Sequence, residues 1–165
     1  MNKFISYGNR GMLLEKIINI TIDYYNKNKI AYFTKNNLNI KFRNVINENN
    51  KLKLSSPFIH EKSTVDYYGI YEGKYITFEA KSTSENSFPF SNIKLHQHEH
   101  LQLIKNMGGY AFYIIFFKNK SKLFKVDVDC IDYKNKKSIS FEEICEIGTN
   151  LEIIFPGIVD FLDAL

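Results

Sequence analysis

The sequence predicts an α/β fold, and three observations predict it. Two stretches, 10–28 and 92–107, repeat their apolar residues at helical spacing. Runs at 30–33, 66–71, 74–81, 110–117 and 123–126 have the length and the aromatic and β-branched content of strands. Strands and helices also alternate along the chain instead of separating into blocks, which is the pattern of layered mixed folds. A chain of 165 residues and 19.4 kDa, 44% hydrophobic and 24% charged, has enough apolar mass for one core and too little for two, so residues 1–165 are expected to form a single domain.

The helix over 10–28 places Leu14, Ile17, Ile18, Thr21 and Tyr25 on one stripe. Leu13, Ile20 and Tyr24 widen it, which implies deep burial or a partner surface. Lys27-Asn28-Lys29 closes the helix, and Ile30–Phe33 follows as a short strand. Residues 34–60 are polar and rich in Asn and Lys. Two weakly alternating runs, Asn39–Ile46 and Lys51–Ile59, flank the turn signal Asn47–Asn50, which predicts a long protruding β-hairpin with little core of its own. Asp66–Tyr71 and Lys74–Lys81 are strands joined by the two-residue turn Glu72-Gly73. The helix over 92–107 is closed by Gly108-Gly109, and Tyr110–Phe117 and Leu123–Val126 are strands. Short helices are expected at 140–146 and 158–164.

The net charge of +4 suits a polyanion partner without requiring one. The basic residues are 20 Lys and only 2 Arg. Cys130 and Cys145 do not make a disulfide framework. No apolar run is long enough to span a bilayer, and the N-terminal MNKFISYGNRG lacks an apolar signal core. A cytoplasmic protein without a membrane partner is the expectation.

Chemistry concentrates on the strand 74–81. Its alternation sends Ile76, Phe78 and Ala80 to one face and Tyr75, Thr77, Glu79 and Lys81 to the other. A two-residue turn at Glu72-Gly73 pairs Tyr71 with Lys74 and therefore puts Asp66 opposite Glu79. Two opposed carboxylates call for positive charge between them, and a divalent cation supplies it. Lys81 stands beside the pair, and the same register extended further brings Thr64 opposite Lys81. On the helix over 92–107 the inward stripe is Ile93, Gln97, Leu101, Ile104 and Gly108, with Gln97 as its polar member. His96, His98 and His100 lack the H-E-x-x-H order of a zinc site and read as partly exposed helix residues. Arg10, next to Gly11 at a helix start, is a candidate phosphate contact. Glu15 is either an exposed helix charge or an accessory to the acidic pair. The ordinary alternative for Asp66, Glu79 and Lys81 is a solvated strand face with an ion pair.

The blocks NRGMLLEKIIN at 9–19, STVDYYGIYEGKYITFEAKST at 63–83, SFPFSNIKLHQHEHL at 87–101 and GGYAFYIIFF at 108–117 resemble the RecU family of Holliday junction resolvases, within the PD-(D/E)xK nuclease superfamily. The resemblance implies a restriction-endonuclease-like mixed sheet flanked by helices. It also implies a homodimeric, magnesium-dependent endonuclease acting on four-way DNA junctions in recombination and repair. It places metal ligands at Thr64, Asp66, Glu79 and Gln97 and a transition-state-stabilising lysine at Lys81. It reads residues 34–60 as a stalk that enters the junction, with Lys35, Lys41, Arg43, Lys51 and Lys53 as candidate DNA contacts. The hard oxygen donors favour magnesium or manganese over zinc, and recombination proteins are candidate partners. Two rivals stand beside this reading: a restriction-like duplex endonuclease with the same site, and a junction-binding scaffold without catalysis, which an intact acidic site disfavours.

Overall fold

The computed structural model describes residues 12–37, 39–41, 44–48, 51–55, 58–61, 64–163 and 165, with side chains undescribed at 39–41, 48, 52–55 and 58–61. The first helix, α1 (Met12–Lys27), buries Leu14, Ile17, Ile18, Thr21, Ile22 and Tyr25. The wider stripe is not covered, since Leu13, Ile20 and Tyr24 are exposed. Strand β1 (Tyr32–Lys35) begins two residues later than the sequence suggested.

Strands β2 (Asn39–Lys41), β3 (Asn44–Glu48), β4 (Lys51–Ser55) and β5 (Phe58–Glu61) form the expected hairpin. β2 pairs antiparallel with β5 and β3 with β4, one ladder nested inside the other, and neither joins the main sheet. Val45 and Ile46 remain 48% and 47% exposed.

The chain then builds β6 (Tyr67–Tyr71), β7 (Lys74–Thr83), β8 (Ser87–Pro89) and a 3₁₀ turn at Phe90–Asn92, followed by α2 (Leu95–Asn106). Helix α2 ends in a Schellman motif. Gly108, at φ 87°, donates its N–H to Lys105, and Gly109 donates to Ile104. Next come β9 (Tyr110–Phe117), β10 (Lys122–Asp127), a 3₁₀ turn at Val128–Cys130, β11 (Ser138–Ser140) and α3 (Phe141–Ile147). Ser140 and Glu143 close the N-terminus of α3 as a capping box. Strands β12 (Thr149–Leu151), β13 (Ile153–Ile154) and β14 (Ile158–Val159) complete the order.

The six-stranded sheet runs β1-β6-β7-β9-β10-β12. Only β7 and β9 pair in parallel, because α2 crosses between them, and the other pairs are antiparallel. One core lies between the sheet and α1, where Phe33, Phe78, Phe112 and Phe161 meet. The second lies on the other face, with Leu101, Phe117, Phe124 and Ile144. Strand β7 is therefore buried on both faces, and Thr77 and Glu79 are as inaccessible as Ile76 and Phe78. No described helix is long and apolar enough to cross a membrane. Cys130 and Cys145 are free thiols.

The helix expected at 158–164 is absent, and β14 and a bend take its place. Tertiary bonds to α1 override the helical spacing of Ile158, Phe161 and Leu162. Val159 donates its N–H to the Thr21 hydroxyl, Phe161 donates to the Tyr25 hydroxyl, and Tyr25 donates to Asp160 at 2.7 Å.

Gly69 shows how tightly β1 and β6 meet. A Cβ there would lie 2.1 Å from the Tyr32 carbonyl oxygen and 2.4 Å from the Phe33 ring. Gly69→Ala is expected to cost about 2–3 kcal/mol, the upper range for overpacking. Denaturant melts of the two proteins would measure it, and a loss below about 0.5 kcal/mol would mean that the β1–β6 contact yields freely.

Candidate active site

The site is set by the turn between β6 and β7. Glu72 and Gly73 both adopt left-handed φ values, 48° and 76°, the signature of a type I′ hairpin turn. The ladder then runs from Tyr71 opposite Lys74 to Tyr67 opposite Phe78. Asp66 is the next residue, one step past the last paired rung, and its carboxyl lies beside that of Glu79, the residue that follows Phe78. The Asp66 carboxylate does more than face Glu79, since its Oδ2 accepts the Ala80 N–H at 3.3 Å. The Asp66 carbonyl accepts the Asn36 N–H at 2.8 Å, which ties the strand entrance to the end of β1.

The Glu79 side chain has no exposed surface, and its Oε2 lies 2.7 Å from the Lys81 ammonium, which is 17% exposed. Gln97, on α2, donates its Nε2 hydrogen to Glu79 Oε1 at 2.6 Å, and its Oε1 accepts from Lys81 Nζ at 3.3 Å. The amide therefore bridges the carboxylate and the ammonium. Burial pushes the Glu79 carboxyl up to about 8. Lys81 opposes the rise, and Asp66 adds to it by charge and by a hydrogen bond. Glu79 Oε2 is buried and makes no directed hydrogen bond despite its ion pair. With both carboxyls ionised one ammonium would face two negative charges, so the ionised site is short of positive charge.

The structure thus brings Asp66, Glu79, Lys81 and Gln97 together. Thr64 is less closely held. The ladder stops at Tyr67, and Thr64 stands exposed in a bend, its hydroxyl 3.5 Å from Asn36 Nδ2, so the pairing with Lys81 does not extend to it. Among the described residues no three His, Cys, Asp or Glu side chains gather as a metal cluster. A cation at the Asp66–Glu79 pair would take the undirected Glu79 Oε2 as a charged donor and complete its shell from neutral oxygens.

Glu15 pairs with Lys35 across α1 and β1, both about half exposed. Its charge still helps to raise the Tyr67 hydroxyl, which burial, Asp66 and Glu79 also raise, so Glu15 lies at the margin of the acidic group. Lys51 is exposed at the hairpin, opposite Glu48. Arg10 and Arg43, and the side chains of Lys41 and Lys53, lie outside the described residues.

The histidines divide. His98 is only 4% exposed, contrary to the partly exposed reading. It lies 2.9 Å from the Tyr113 hydroxyl and stacks on Tyr133. His96 and His100 are half-buried. Sequence reasoning missed Asn36, His98 and Tyr113. Their only signals were one helical step from Gln97 and one polar tip in the apolar run of β9.

The raised Glu79 carboxyl has a consequence for stability without metal. A carboxyl higher in the folded than in the unfolded chain favours folding fully below about pH 4.3. That contribution is lost as pH rises through the folded value, about 8. In chelator, Glu79→Gln is expected to melt above the unmodified protein near pH 8, with the gap closing toward pH 4. Thermal melts across that range would measure it, and a gap independent of pH would remove the buried-charge account.

Comparison with known proteins agrees with this geometry. The family described as RecU, Recombination protein U, matches residues 9–165. A Holliday junction resolvase RecU of Mycoplasmopsis pulmonis is 46% identical over 154 residues, 93% of this chain and 92% of that protein. Those of Ureaplasma parvum and Staphylococcus aureus are 40% and 35% identical, over 93% and 98% of this chain and 89% and 82% of their own lengths. Among solved structures, Hjc of Archaeoglobus fulgidus, a Holliday junction resolvase, superposes with a TM-score of 0.51 at 11% identity, covering 82% of this chain and 94% of that one. At that identity the likeness speaks for the fold alone, a restriction-endonuclease-like mixed sheet flanked by helices. The chain belongs to the RecU family.

Proposed function

We propose that this chain is a divalent-metal-dependent endonuclease that resolves four-way (Holliday) DNA junctions as a homodimer, in recombination and repair. Residues 1–165 would act as one nuclease domain, with 34–60 as an inserted stalk. The observation that carries the reading is the opposition of Asp66 and Glu79 beside Lys81, in a chain whose relatives are named Holliday junction resolvases.

Asp66 and Glu79 would hold the cation, with Thr64 and Gln97 as neutral oxygen donors. This hard set suits magnesium or manganese. A divalent ion held there would neutralise charge on the scissile phosphate and make water a better nucleophile near neutral pH. Lys81 keeps its ammonium at the boundary between the buried carboxylate and solvent. From there it is placed to stabilise charge that builds on the phosphoryl group. Gln97 restrains both partners of that ion pair, so Lys81 presents a fixed donor rather than a mobile chain end. Two strands must be cut in a junction, and a twofold dimer offers two such sites.

Asp66→Asn or Glu79→Gln is expected to abolish cleavage of a mobile junction in magnesium while junction binding persists, since DNA affinity comes mainly from cationic contacts elsewhere. Lys81→Ala is expected to retain metal binding and lose at least about a hundredfold in rate. Full cleavage by either acidic variant would remove the site assignment. Loss of metal binding in Lys81→Ala would make the lysine structural.

A separate test concerns the stalk. Replacing residues 44–55 by a short Gly-Ser turn keeps the β2–β5 ladder and removes β3 and β4, which contribute nothing to the main sheet. The protein is expected to melt as before. Junction affinity should fall much more than affinity for linear duplex in gel shifts at one salt concentration. Equal losses on both DNAs would make the excursion a generic phosphate binder.

A further inference from the structure

His98 and Tyr113 form a buried polar pair that the chemistry above does not use. Tyr113 is fully buried on β9, and its backbone partner across the parallel β7–β9 ladder is Glu79. His98 is 4% exposed, with Nδ1 2.9 Å from the Tyr113 hydroxyl. Gln97, the preceding residue on α2, reaches Glu79 itself at 2.6 Å. Two consecutive helix residues, about 100° apart around the helix axis, thus bond two residues that sit side by side in the sheet.

This arrangement fixes what a single bond would leave free. The Gln97–Glu79 bond alone permits α2 to roll about its axis. The His98–Tyr113 bond on the neighbouring strand opposes that roll. The helix is otherwise lightly held by polar bonds among the described residues: Lys94 at its N-cap makes no side-chain capping bond, Tyr133 reaches the Ile93 carbonyl at 3.5 Å just before it, and Lys105 pairs with Asp127 near its far end. The His98 ring also lies 5.1 Å from the Tyr133 ring and 6.2 Å from the Tyr113 ring, inclined to them by 25° and 15°. An apolar pair would fill the same space at lower desolvation cost. The polar pair adds direction.

We infer that the His98–Tyr113 hydrogen bond is a positioning device: it sets the rotation of α2 that aims the Gln97 amide at Glu79 and Lys81, and through it the cation-binding geometry of Asp66 and Glu79. The inference rests on the nuclease reading for its effect on catalysis and on geometry alone for its effect on cation binding. Both residues act through Gln97 and touch neither substrate nor cation.

The test uses the full chain. Manganese binding without DNA is measured by calorimetry for Tyr113→Phe, His98→Ala, His98→Asn, Gln97→Ala and the double variant Tyr113→Phe/Gln97→Ala. Junction cleavage is then measured at saturating manganese. Tyr113→Phe and His98→Ala are expected to weaken manganese binding by about tenfold, the scale of losing a supporting partner, and to lower kcat while KM for the junction holds. His98→Asn, whose amide can stand where Nδ1 stood, should recover most of the affinity. The double variant should bind manganese no worse than Gln97→Ala alone, because the pair acts through that amide. Lower melting temperatures with unchanged manganese affinity would reduce the pair to core packing and overturn the inference. Multiplying losses in the double variant would do the same. If Tyr113→Phe does not fold, the His98→Asn and His98→Ala comparison decides, and equal affinities would overturn it. Failure of the unmodified protein to cut junctions, with the affinity pattern intact, would sink the nuclease reading and leave the positioning role standing.

Discussion

A carboxylate with no exposed surface, in the most central pair of strands, is the constraint around which this molecule is arranged. An isolated buried charge is costly, and Glu79 has a second carboxylate beside it. What surrounds it answers that cost in part. Lys81 brings opposite charge, Gln97 brings a donor, and the Ala80 N–H takes up one oxygen of Asp66. Each comes from a different local cause. A two-residue turn fixes the place of Asp66, strand alternation keeps Lys81 on the face of Glu79, and the crossover helix lays Gln97 over both. A protein selecting for stability alone would neutralise the remaining charge with apolar replacement. The residual deficit of positive charge is what the divalent ion proposed above would fill.

The same strand serves two opposite environments. Phe78, one residue before Glu79, stacks on Tyr67 at 4.9 Å and on Phe112 at 5.2 Å and belongs to the aromatic core under α1. Alternation therefore separates the stabilising face from the chemical face within a single backbone segment. The aromatic core holds β7 rigid between β6 and β9, and rigidity transfers directly to the carboxylate on its other side. Sites built on strands hold geometry more closely than sites built on loops. Thr64 and Asp66, on the bends before β6, are the two candidate ligands outside a regular element, and Thr64 is the exposed one.

Much of this was legible in the sequence where the signal was local. Glu72-Gly73 specified its own turn type, and the turn placed Asp66 beside Glu79. Gly108-Gly109 marked the end of α2, and the Asn-rich 34–60 segment announced a hairpin without a core. The misses share a cause in non-local pairing. Strands β8 and β11 are three-residue pieces that exist because Phe88 pairs with Ile139, far along the chain, and no periodicity in Ser87–Pro89 reveals it. Ile158, Phe161 and Leu162 carry helical spacing, yet bonds from Val159 to Thr21 and from Phe161 to Tyr25 tie the segment to α1 instead. His98 looked like a partly exposed member of a polar run because its partners, Tyr113 and Tyr133, come from elements that only the fold brings near.

The hairpin excursion and the acidic pair are chemically unrelated but mechanically close. The excursion leaves after β1 and returns just before β6. Asp66 lies five residues beyond Glu61, at most about 17 Å of extended chain. The root of the excursion is fastened at the same point, since Asn36 donates to the Asp66 carbonyl and approaches the Thr64 hydroxyl. Lys35, the last residue of β1, is paired with Glu15 and so joins the root to α1. Its charge is thereby partly committed within the fold, which distinguishes it from Lys51 farther out on the hairpin. Whatever the outer excursion engages is delivered to a base whose hydrogen bonds end on the carbonyl of Asp66. On the function proposed above, substrate preference and bond cleavage would be governed by separate residues and still act at one place, because a single short connection would carry both.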